Sequence, residues 1–210
     1  MNKTKRFKII HILNTENPFP KSELNFNSSF ELLISVMLSA QTKDKSVNNI
    51  TNILYPIANT PEKFIKLGIL KLKNHLKSIG LYNKKAENII NISKTFIKKK
   101  YNFVPNKRSF LESLPGVGRK TTNVVLSTLY NIKTIAVDTH VFRVSNRSHF
   151  ALGKNVKEVE KKLMKVVPKQ YIHKIHHWFV LHGRYICKSK KPICKKCCIK
   201  HYCEYKKKNE

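Results

Sequence analysis

The stretch "SLPGVGRKTTNVV", residues Ser113–Val125, holds two of the six glycines of the chain, both close behind a proline. Pro115 fixes one backbone angle, whereas Gly116 and Gly118 permit conformations that are closed to other residues. The segments on either side have the apolar spacing of helices. The sequence therefore predicts a tight turn that joins a helix ending near Ser113 to a helix beginning near Gly118.

Because two of the residues in the predicted turn are glycines, few side chains shield its backbone from a ligand. Backbone N–H groups around Gly116, Val117 and Gly118 are expected to point outward at the start of a helix, an arrangement that binds phosphate without a side-chain charge. This is the helix-hairpin-helix pattern of DNA-binding proteins, and it spans about residues 108–130. Such contacts position DNA but do not read its sequence. The alternative is a tight helix–helix turn that binds no ligand.

The charge balance of the chain also indicates a polyanionic partner. Lys and Arg total 42 residues against 12 Asp and Glu, which gives a formal net charge of +30. Such a field attracts polyanions, and nucleic acid is the first candidate. Because 36 of the 42 basic residues are lysines, a bias in genome composition is an alternative source of the excess. A basic structural or ribosome-associated protein is the alternative class.

The length and hydropathy of the chain limit its class further. Its 210 residues, 41% of them hydrophobic, suffice for a good core and for one or two domains. No apolar run reaches the length that spans a bilayer, and the N-terminus lacks the apolar region of a signal peptide. We therefore expect a soluble, cytoplasmic protein without a membrane partner.

Helical patterns dominate the chain, and the alternation typical of strands is scarce. The segment "FELLISVMLSA", Phe30–Ala40, is apolar enough for a buried helix. Thr60, Asn83, Asn106 and Asn155 each stand where a side-chain cap would begin a helix. The sequence therefore predicts an all-α fold whose helices are linked by short turns.

All five cysteines fall within the last 24 residues of the chain. Four of them follow the spacing C-x6-C-x2-C-x5-C, which runs through Cys187, Cys194, Cys197 and Cys203. In an intracellular chain this clustering indicates a metal site rather than disulfides. Four thiolates hold either a [4Fe–4S] cluster or a zinc ion, and the spacing does not choose between them. Cys198 is surplus and could replace Cys197 as a ligand.

Several motifs together identify a family. They are the glycine turn, the preceding segment "LLISVMLSAQTKD" at Leu32–Asp44, the segment "TIAVDTHVFRVSNR" at Thr134–Arg147, and "LHGRYIC" at Leu181–Cys187 with the three spaced cysteines that follow it. Their order and spacing resemble those of the bacterial endonuclease III family, the helix-hairpin-helix DNA glycosylases and AP lyases that act on oxidised pyrimidines. The resemblance extends from about Phe30 to Tyr205.

The resemblance implies a cofactor and a domain organisation. A [4Fe–4S] cluster would be held by the four spaced cysteines, with Cys198 outside it. A helical barrel domain would span residues 21–133, and a cluster domain would combine residues 1–20 with 134–210 and carry the cysteine loop 187–203. Double-stranded DNA would lie in a cleft between the two domains. The family also implies a monomer that associates with the bacterial nucleoid through DNA.

The catalytic pair implied by the resemblance is Lys120 and Asp138. A lyase needs an amine that attacks the sugar and forms a Schiff base, and Lys120 matches the nucleophile of the family. Developing positive charge on the sugar needs an anion, and Asp138 is one of only two aspartates in the chain. Asp138 could also be an ordinary helix N-cap, and the two roles are compatible.

Other positions match family residues that contact DNA or surround the damaged base. Gln41 matches the glutamine that fills the gap left by the extruded base, and Leu81 matches the wedge in the opposite strand. A polar helix end and an edge-of-core leucine are the simpler interpretations of these two residues. The remaining expected positions are Gly116, Val117, Gly118, His140 and Lys191 as DNA contacts, with Asp44 and Glu112 at the pocket.

Taken together, these patterns predict a bifunctional DNA glycosylase and AP lyase of base excision repair. Its partner would be duplex DNA with damaged pyrimidines or abasic sites. The main alternative is a non-catalytic helix-hairpin-helix DNA-binding protein with a structural site of four cysteines. That alternative explains the charge, the hairpin and the cysteines, but it leaves the pairing of Lys120 with Asp138 as a coincidence. Glu112 is equally compatible with a solvated position near the end of a helix.

Overall fold

A computed structural model of the protein describes residues 1–208. Within that range the secondary structure consists of eleven α-helices and two short 3-10 segments, without a strand. The prediction of an all-α fold is therefore confirmed. The helices are α1 (Lys3–Glu16), α2 (Ser29–Leu38), α3 (Asp44–Leu54), α4 (Pro61–Leu67), α5 (Ile69–Leu76), α6 (Tyr82–Lys98), α7 (Arg108–Ser113), α8 (Arg119–Tyr130), α9 (Thr139–Arg147), α10 (Val156–Val166) and α11 (Ile172–Tyr185).

The chain divides into two compact units. The hairpin unit is Ser22–Tyr130 and contains α2 to α8. The cysteine unit combines Met1–Lys21 with the chain from Asn131 onward, and it contains α1 and α9 to α11. Among residues 1–208, none of these helices is long and apolar enough to cross a membrane. The predicted domain limits differ from these by one residue at the first boundary and three at the second, and the assignment of a barrel domain and a cluster domain stays a prediction.

The core of the hairpin unit is built around α2. All nine residues from Phe30 to Leu38 are buried, as the apolar sequence of this helix predicts. Helix α2 packs against α6 and α8. The ring of Phe30 lies edge-on to that of Phe96, with 5.1 Å between the ring centroids, and it also contacts Phe64 at 6.1 Å. Because α2 packs against α8, the second helix of the hairpin is fixed against the most buried helix of the unit.

The core of the cysteine unit is formed mainly by α1, α9, α10 and α11. Helices α9 and α11 approach closely at Gly183, where an added Cβ would lie only 2.9 Å from the Cβ of His140. The guanidinium of Arg143 on α9 donates to the carbonyl of Gly183 at 2.7 Å. A close contact and a hydrogen bond therefore set the spacing of the two helices. The buried apolar side chains of this core are Ile9, Ile10, Leu13, Ile135, Val137, Val141, Val144, Phe150, Ala151, Val159, Leu163, Val167, Ile172, Ile175, Trp178, Phe179 and Ile199.

Two of the four predicted helix caps are confirmed. The Thr60 hydroxyl accepts from the backbone N–H of Lys63 at 3.3 Å, and the Asn155 side chain accepts from that of Glu158 at 3.0 Å. Asn155 and Thr60 thus satisfy N–H groups that a helix start leaves unpaired.

The other two caps were predicted wrongly, because each helix is set by its backbone rather than by an asparagine. Helix α6 begins after Leu81, whose left-handed backbone has a φ of 61°, so Asn83 already lies inside the helix. Helix α7 begins after Lys107, which follows a turn that joins the Lys107 N–H to the Pro105 carbonyl at 2.9 Å. Asn106 is thereby left outside the helix.

Candidate active site and cysteine pocket

The glycine turn forms as the sequence predicts, with a helix on each side. Helix α7 ends at Ser113 and α8 begins at Arg119. The N–H of Val117 donates to the carbonyl of Leu114 at 3.1 Å, and the buried Val117 side chain anchors the turn to the hairpin unit. Gly116 and Gly118 remain exposed on either side of it. The turn therefore presents bare backbone beside the N-terminus of a twelve-residue helix, a position that favours an anion.

The two glycines differ in what the fold requires of them. Gly116 has a φ of 78°, and a Cβ there would lie 2.4 Å from the side-chain nitrogen of Asn88. At Gly118 an added Cβ would meet nothing within 4 Å. Packing and backbone strain thus explain Gly116. The space at Gly118 is left open to the outside, where a ligand could approach the backbone.

Lys120 is the second residue of α8, and its side chain is exposed. It follows Gly118 by two positions, so one short segment carries both the proposed phosphate contact and the amine. The lysine and the turn are held in this arrangement because α8 packs on α2 within the same unit. The hairpin unit therefore holds the glycine turn and Lys120 close together along one segment.

Asp138 lies in the cysteine unit and is the N-cap of α9. Its Oδ1 accepts from the backbone N–H of Val141 at 2.7 Å. The three residues before it, Ile135, Ala136 and Val137, are all buried and anchor the approach to the helix. A helix N-terminus favours a negative charge at this position. The expected capping role is confirmed, and it fixes the carboxylate in one orientation.

His140 belongs to a hydrogen-bonded group that reaches the cysteine loop. Its Nδ1 lies 3.1 Å from a guanidinium nitrogen of Arg143. The same guanidinium donates to the carbonyls of Gly183, at 2.7 Å, and Cys187, at 3.0 Å. Burial lowers the pKa of Arg143 from its ordinary value, while the nearby Cys187 acts in the opposite direction. Arg143 is a linking residue that the sequence did not single out, because its partners lie 40 and 44 positions away.

Gln41 and Leu81 are both exposed residues with a left-handed backbone. Gln41 lies in the turn after α2 with a φ of 55°, and Leu81 precedes α6 with a φ of 61°. Leu81 is 60% exposed, so most of its side chain is open to solvent. Residues other than glycine rarely adopt this backbone, and it persists only where the surrounding structure holds it. Both side chains are thus presented to the outside on constrained turns.

The two carboxylates expected at the pocket lie on different helices of the hairpin unit. Asp44 is the first residue of α3 and is half-buried. Glu112 is exposed near the end of α7 and forms an ion pair with Arg108 at 2.9 Å, four positions earlier. Arg108 also donates to the side chain of Asn123 on α8 at 2.7 Å. Arg108 thus joins the two helices of the hairpin while it pairs with Glu112, and the role of Glu112 at a pocket stays a prediction.

Four of the five cysteines line one pocket of the cysteine unit. Cys187, Cys194, Cys197 and Cys203 all line one small pocket that opens partly to solvent. Cys198 is exposed and is not among the residues that line this pocket. All five are free thiols. Within residues 1–208, no three His, Cys, Asp or Glu side chains are gathered as ligands of a metal ion. The alternative in which Cys198 replaces Cys197 therefore has no support from the pocket.

The thiols of the pocket have polar and cationic neighbours. The Arg147 guanidinium lies 3.6 Å from the sulfur of Cys187 and also donates to the carbonyls of Lys188, at 2.7 Å, and Ser189, at 2.9 Å. The sulfur of Cys197 lies 3.5 Å from Nε2 of His182. Burial raises the pKa of Cys197 to about 12, so an electropositive group is needed to hold it as a thiolate. Four thiols that line one pocket, with a guanidinium beside Cys187, have the donor chemistry of an iron–sulfur site.

Lys191 lies in the loop between Cys187 and Cys194, and its side chain is exposed. Lys188 and Lys190 are exposed on the same loop, and Lys195 and Lys196 on the next. These exposed lysines give the chain around the pocket a basic surface, and the DNA contact of Lys191 stays a prediction. The hydrogen bonds from Arg147 to the backbone of this loop restrain its first part.

Comparisons with known proteins define the class. A family model described as HhH-GPD superfamily base excision DNA repair protein matches residues 34–169. Endonuclease III of Haemophilus influenzae is 55% identical over 210 residues, the full length of both chains. Endonuclease III of Escherichia coli is 55% identical over 208 residues, 99% of each chain. Fold, motifs and sequence thus define a helix-hairpin-helix protein of base excision repair.

Solved structures agree with the sequence relatives. A non-covalent endonuclease III–DNA complex is similar, with a TM-score of 0.91 and 41% identity over 97% of this chain and 96% of that one. The same values hold for a trapped covalent intermediate of endonuclease III with DNA. The chain belongs to the endonuclease III family of the HhH-GPD superfamily.

Proposed function

We propose that the protein is a DNA glycosylase and AP lyase that removes oxidised pyrimidines from duplex DNA and then cleaves the strand. The observation that carries this proposal is the exposed amine of Lys120, two residues beyond Gly118 at the start of α8. A phosphate bound at the turn would bring a sugar of the same strand next to that amine. The membership of the endonuclease III family and the DNA complexes of similar proteins support this assignment.

The proposed reaction begins with a nucleophilic substitution at C1′ of the damaged nucleotide. The neutral amine of Lys120 forms a bond to C1′, the glycosidic bond breaks, and the base leaves with its bonding electrons and takes up a proton. The sugar ring opens to give a protonated Schiff base. A base then removes the 2′ proton, the C3′–O3′ bond breaks, and the phosphate leaves. The strand is cleaved on the 3′ side of the lesion, and hydrolysis of the imine releases Lys120.

Asp138 is the carboxylate that we assign to this reaction. As the N-cap of α9 it has a fixed orientation, because its Oδ1 accepts from the backbone N–H of Val141. An anion stabilises the positive charge that develops on the sugar as the base leaves. It can also accept a proton in the later steps. Asp138 and Lys120 act on the same sugar in this proposal.

Access to the damaged base requires that the nucleotide leave the duplex, which costs a few kcal/mol of stacking and pairing. We assign Gln41 to fill the vacated space and Leu81 to intrude on the opposite strand. Both are exposed on left-handed turns of the hairpin unit, which supports these roles. Asp44 and Glu112 are assigned to the surroundings of the extruded base. Gly116, Val117 and Gly118 bind the backbone phosphate, and His140 contacts DNA from the cysteine unit.

The proposed cofactor of the cysteine unit is a [4Fe–4S] cluster. Cys187, Cys194, Cys197 and Cys203 would be its ligands, because all four line one pocket and Cys198 does not. When bound, the cluster supplies four iron–sulfur bonds that cross-link residues 187–203. Arg147 stabilises the ligand set through its contact with the sulfur of Cys187. The restrained loop then presents Lys191 and its neighbours to the DNA backbone.

Borohydride trapping tests the function directly. Wild-type protein incubated with duplex containing an abasic site and sodium borohydride should give a covalent protein–DNA adduct, because the reductant fixes the Schiff base. Lys120→Ala should give none, whereas Lys94→Ala, which changes an exposed lysine on α6, should give the normal yield. Absence of an adduct with wild-type protein that contains its metal would exclude the lyase. The non-catalytic DNA-binding protein would then remain.

A further inference from the structure

We infer that Lys85 is a positioning residue that fixes the turn of Gln41 against the turn of Leu81. The inference rests on the proposed function, in which these two side chains enter the duplex. Lys85 itself does not contact DNA in this role, because it is buried within the hairpin unit. It acts through the backbone of the two turns.

Lys85 is an unusual lysine in this chain. It lies in the first turn of α6 and is only 4% exposed, although lysines are almost never buried without a partner. Within residues 1–208 it has no salt bridge to a carboxylate. Its ammonium instead donates to the backbone carbonyl of Ala40 and to the hydroxyl of Thr42, each at 2.8 Å. These two acceptors stand on either side of Gln41.

The same residue is also tied to the second turn. The backbone N–H of Lys85 donates to the carbonyl of Leu81 at 2.9 Å, which closes the first turn of α6. Helical side chains lean toward the N-terminus of their helix, which for Lys85 is the side on which Leu81 lies. Its backbone therefore fixes one turn while its side chain fixes the other.

Both turns need such support. Gln41 and Leu81 have φ values of 55° and 61°, a backbone that residues other than glycine adopt at a cost. Other hydrogen bonds of the turn after α2 run from the N–H of Ala40 to the Met37 carbonyl at 3.3 Å and from the N–H of Thr42 to the Ser39 carbonyl at 3.1 Å. The Thr42 hydroxyl also donates to the Ala40 carbonyl at 3.4 Å. The two bonds from the Lys85 ammonium, each 2.8 Å long, are shorter than these and act on both neighbours of Gln41.

Packing alone does not account for a lysine at this position. Burial lowers the pKa of Lys85 from its ordinary value, which means that the site disfavours the charged form. An apolar side chain of similar length would fill the space without that penalty. The feature that an apolar residue cannot supply is the pair of hydrogen bonds that bracket Gln41.

The test compares Lys85→Met with Lys84→Met. Both substitutions remove an ammonium and keep an unbranched side chain, but Lys84 is 73% exposed and only pairs with Glu87 on the surface of α6. Binding is measured on two matched duplexes, one undamaged and one with a tetrahydrofuran abasic analogue, and reported as the ratio of the two affinities. Thermal unfolding of each variant is measured alongside.

Lys85→Met is expected to reduce the preference for the abasic analogue about tenfold. Affinity for the undamaged duplex should change no more than in Lys84→Met, which should keep the wild-type preference. Gln41→Ala should reduce the preference to a similar extent. In the double variant the losses should not add, because Lys85 acts through Gln41.

The outcomes separate this inference from the function on which it rests. If Gln41→Ala reduces the preference while Lys85→Met leaves it unchanged, or if the two effects add fully, Lys85 is not a positioning residue for Gln41. If Gln41→Ala has no effect, the inference fails as well. If wild-type protein shows no preference for the abasic analogue, the proposed function itself fails. Should Lys85→Met not fold, Thr42→Val removes one of the two acceptors and is expected to give a smaller, equally coupled loss.

Discussion

The two glycines of the hairpin, Gly116 and Gly118, differ in the structural reason for which each is a glycine. Gly116 combines a left-handed backbone with the side chain of Asn88 at the place where a Cβ would stand. Gly118 has open space around it and a carbonyl that accepts from the N–H of Thr122 at 3.0 Å. The first is required by the hairpin unit. The second stands at a helix start, where glycine is favoured over alanine, and leaves room for a ligand to approach the backbone.

Alanine at these positions should therefore separate stability from binding. Gly116→Ala is expected to lower the free energy of unfolding by about 2–4 kcal/mol, through backbone strain and displacement of Asn88. Gly118→Ala is expected to lower it by no more than about 1 kcal/mol, the usual penalty for alanine at a helix start. The affinity of Gly118→Ala for duplex DNA should fall instead. Urea unfolding measures the stability of the two variants, and a duplex-binding assay measures their affinity. Equal losses of stability in Gly116→Ala and Gly118→Ala would contradict the prediction.

The dual role of Asp138 leads to a second prediction at this scale. Asp138→Asn keeps an oxygen that can accept from the N–H of Val141 but removes the charge. Asparagine caps helices as well as aspartate does, so stability should change by less than about 1 kcal/mol. Abasic DNA should still bind, while the rate of adduct formation falls on the order of a hundredfold or more. Near-normal turnover would remove Asp138 from the mechanism.

At the scale of elements, the cysteine loop depends on which thiols face the pocket. Cys197 and Cys198 are adjacent in sequence, yet only Cys197 lines the pocket. Cys197→Ser should reduce the iron and sulfide content and the brown colour of the purified protein, and should lower its melting temperature. Cys198→Ser should leave all three unchanged. The reverse result would show that Cys198, and not Cys197, is the ligand. A colourless wild-type protein that contains zinc would show that the site holds zinc instead of an iron–sulfur cluster.

Helix starts show what local sequence decides. Thr60 and Asn155 act as caps because the hydrogen bond that defines a cap spans only three residues. Asn83 has the same chemistry but does not cap α6, because Leu81 two positions earlier takes the left-handed backbone from which the helix starts. That conformation is unfavourable for leucine locally and is held by surrounding structure, so cap propensity predicted the wrong residue.

At the scale of the whole molecule, the parts of the site that the sequence revealed are those that lie close together along the chain. Lys120 follows the glycine turn directly, and the four pocket cysteines fall within one short segment. The sequence did not predict a role for Lys85, because its side-chain partners are 43 and 45 positions away. In a chain with 36 lysines, only the folded structure distinguishes the buried one from those on the surface.

The net charge of +30 leads to the last prediction, which concerns salt. Lysines that neutralise phosphates release counterions, so the logarithm of duplex affinity should fall linearly with the logarithm of salt concentration, with a slope of about −0.9 per phosphate contacted. Lys191→Gln should make this slope shallower by about one, whereas Lys94→Gln on α6 should not change it. Preference for abasic over undamaged duplex should stay nearly constant, because both share the phosphate contacts. A flat response would show that the charge of the chain does not hold DNA.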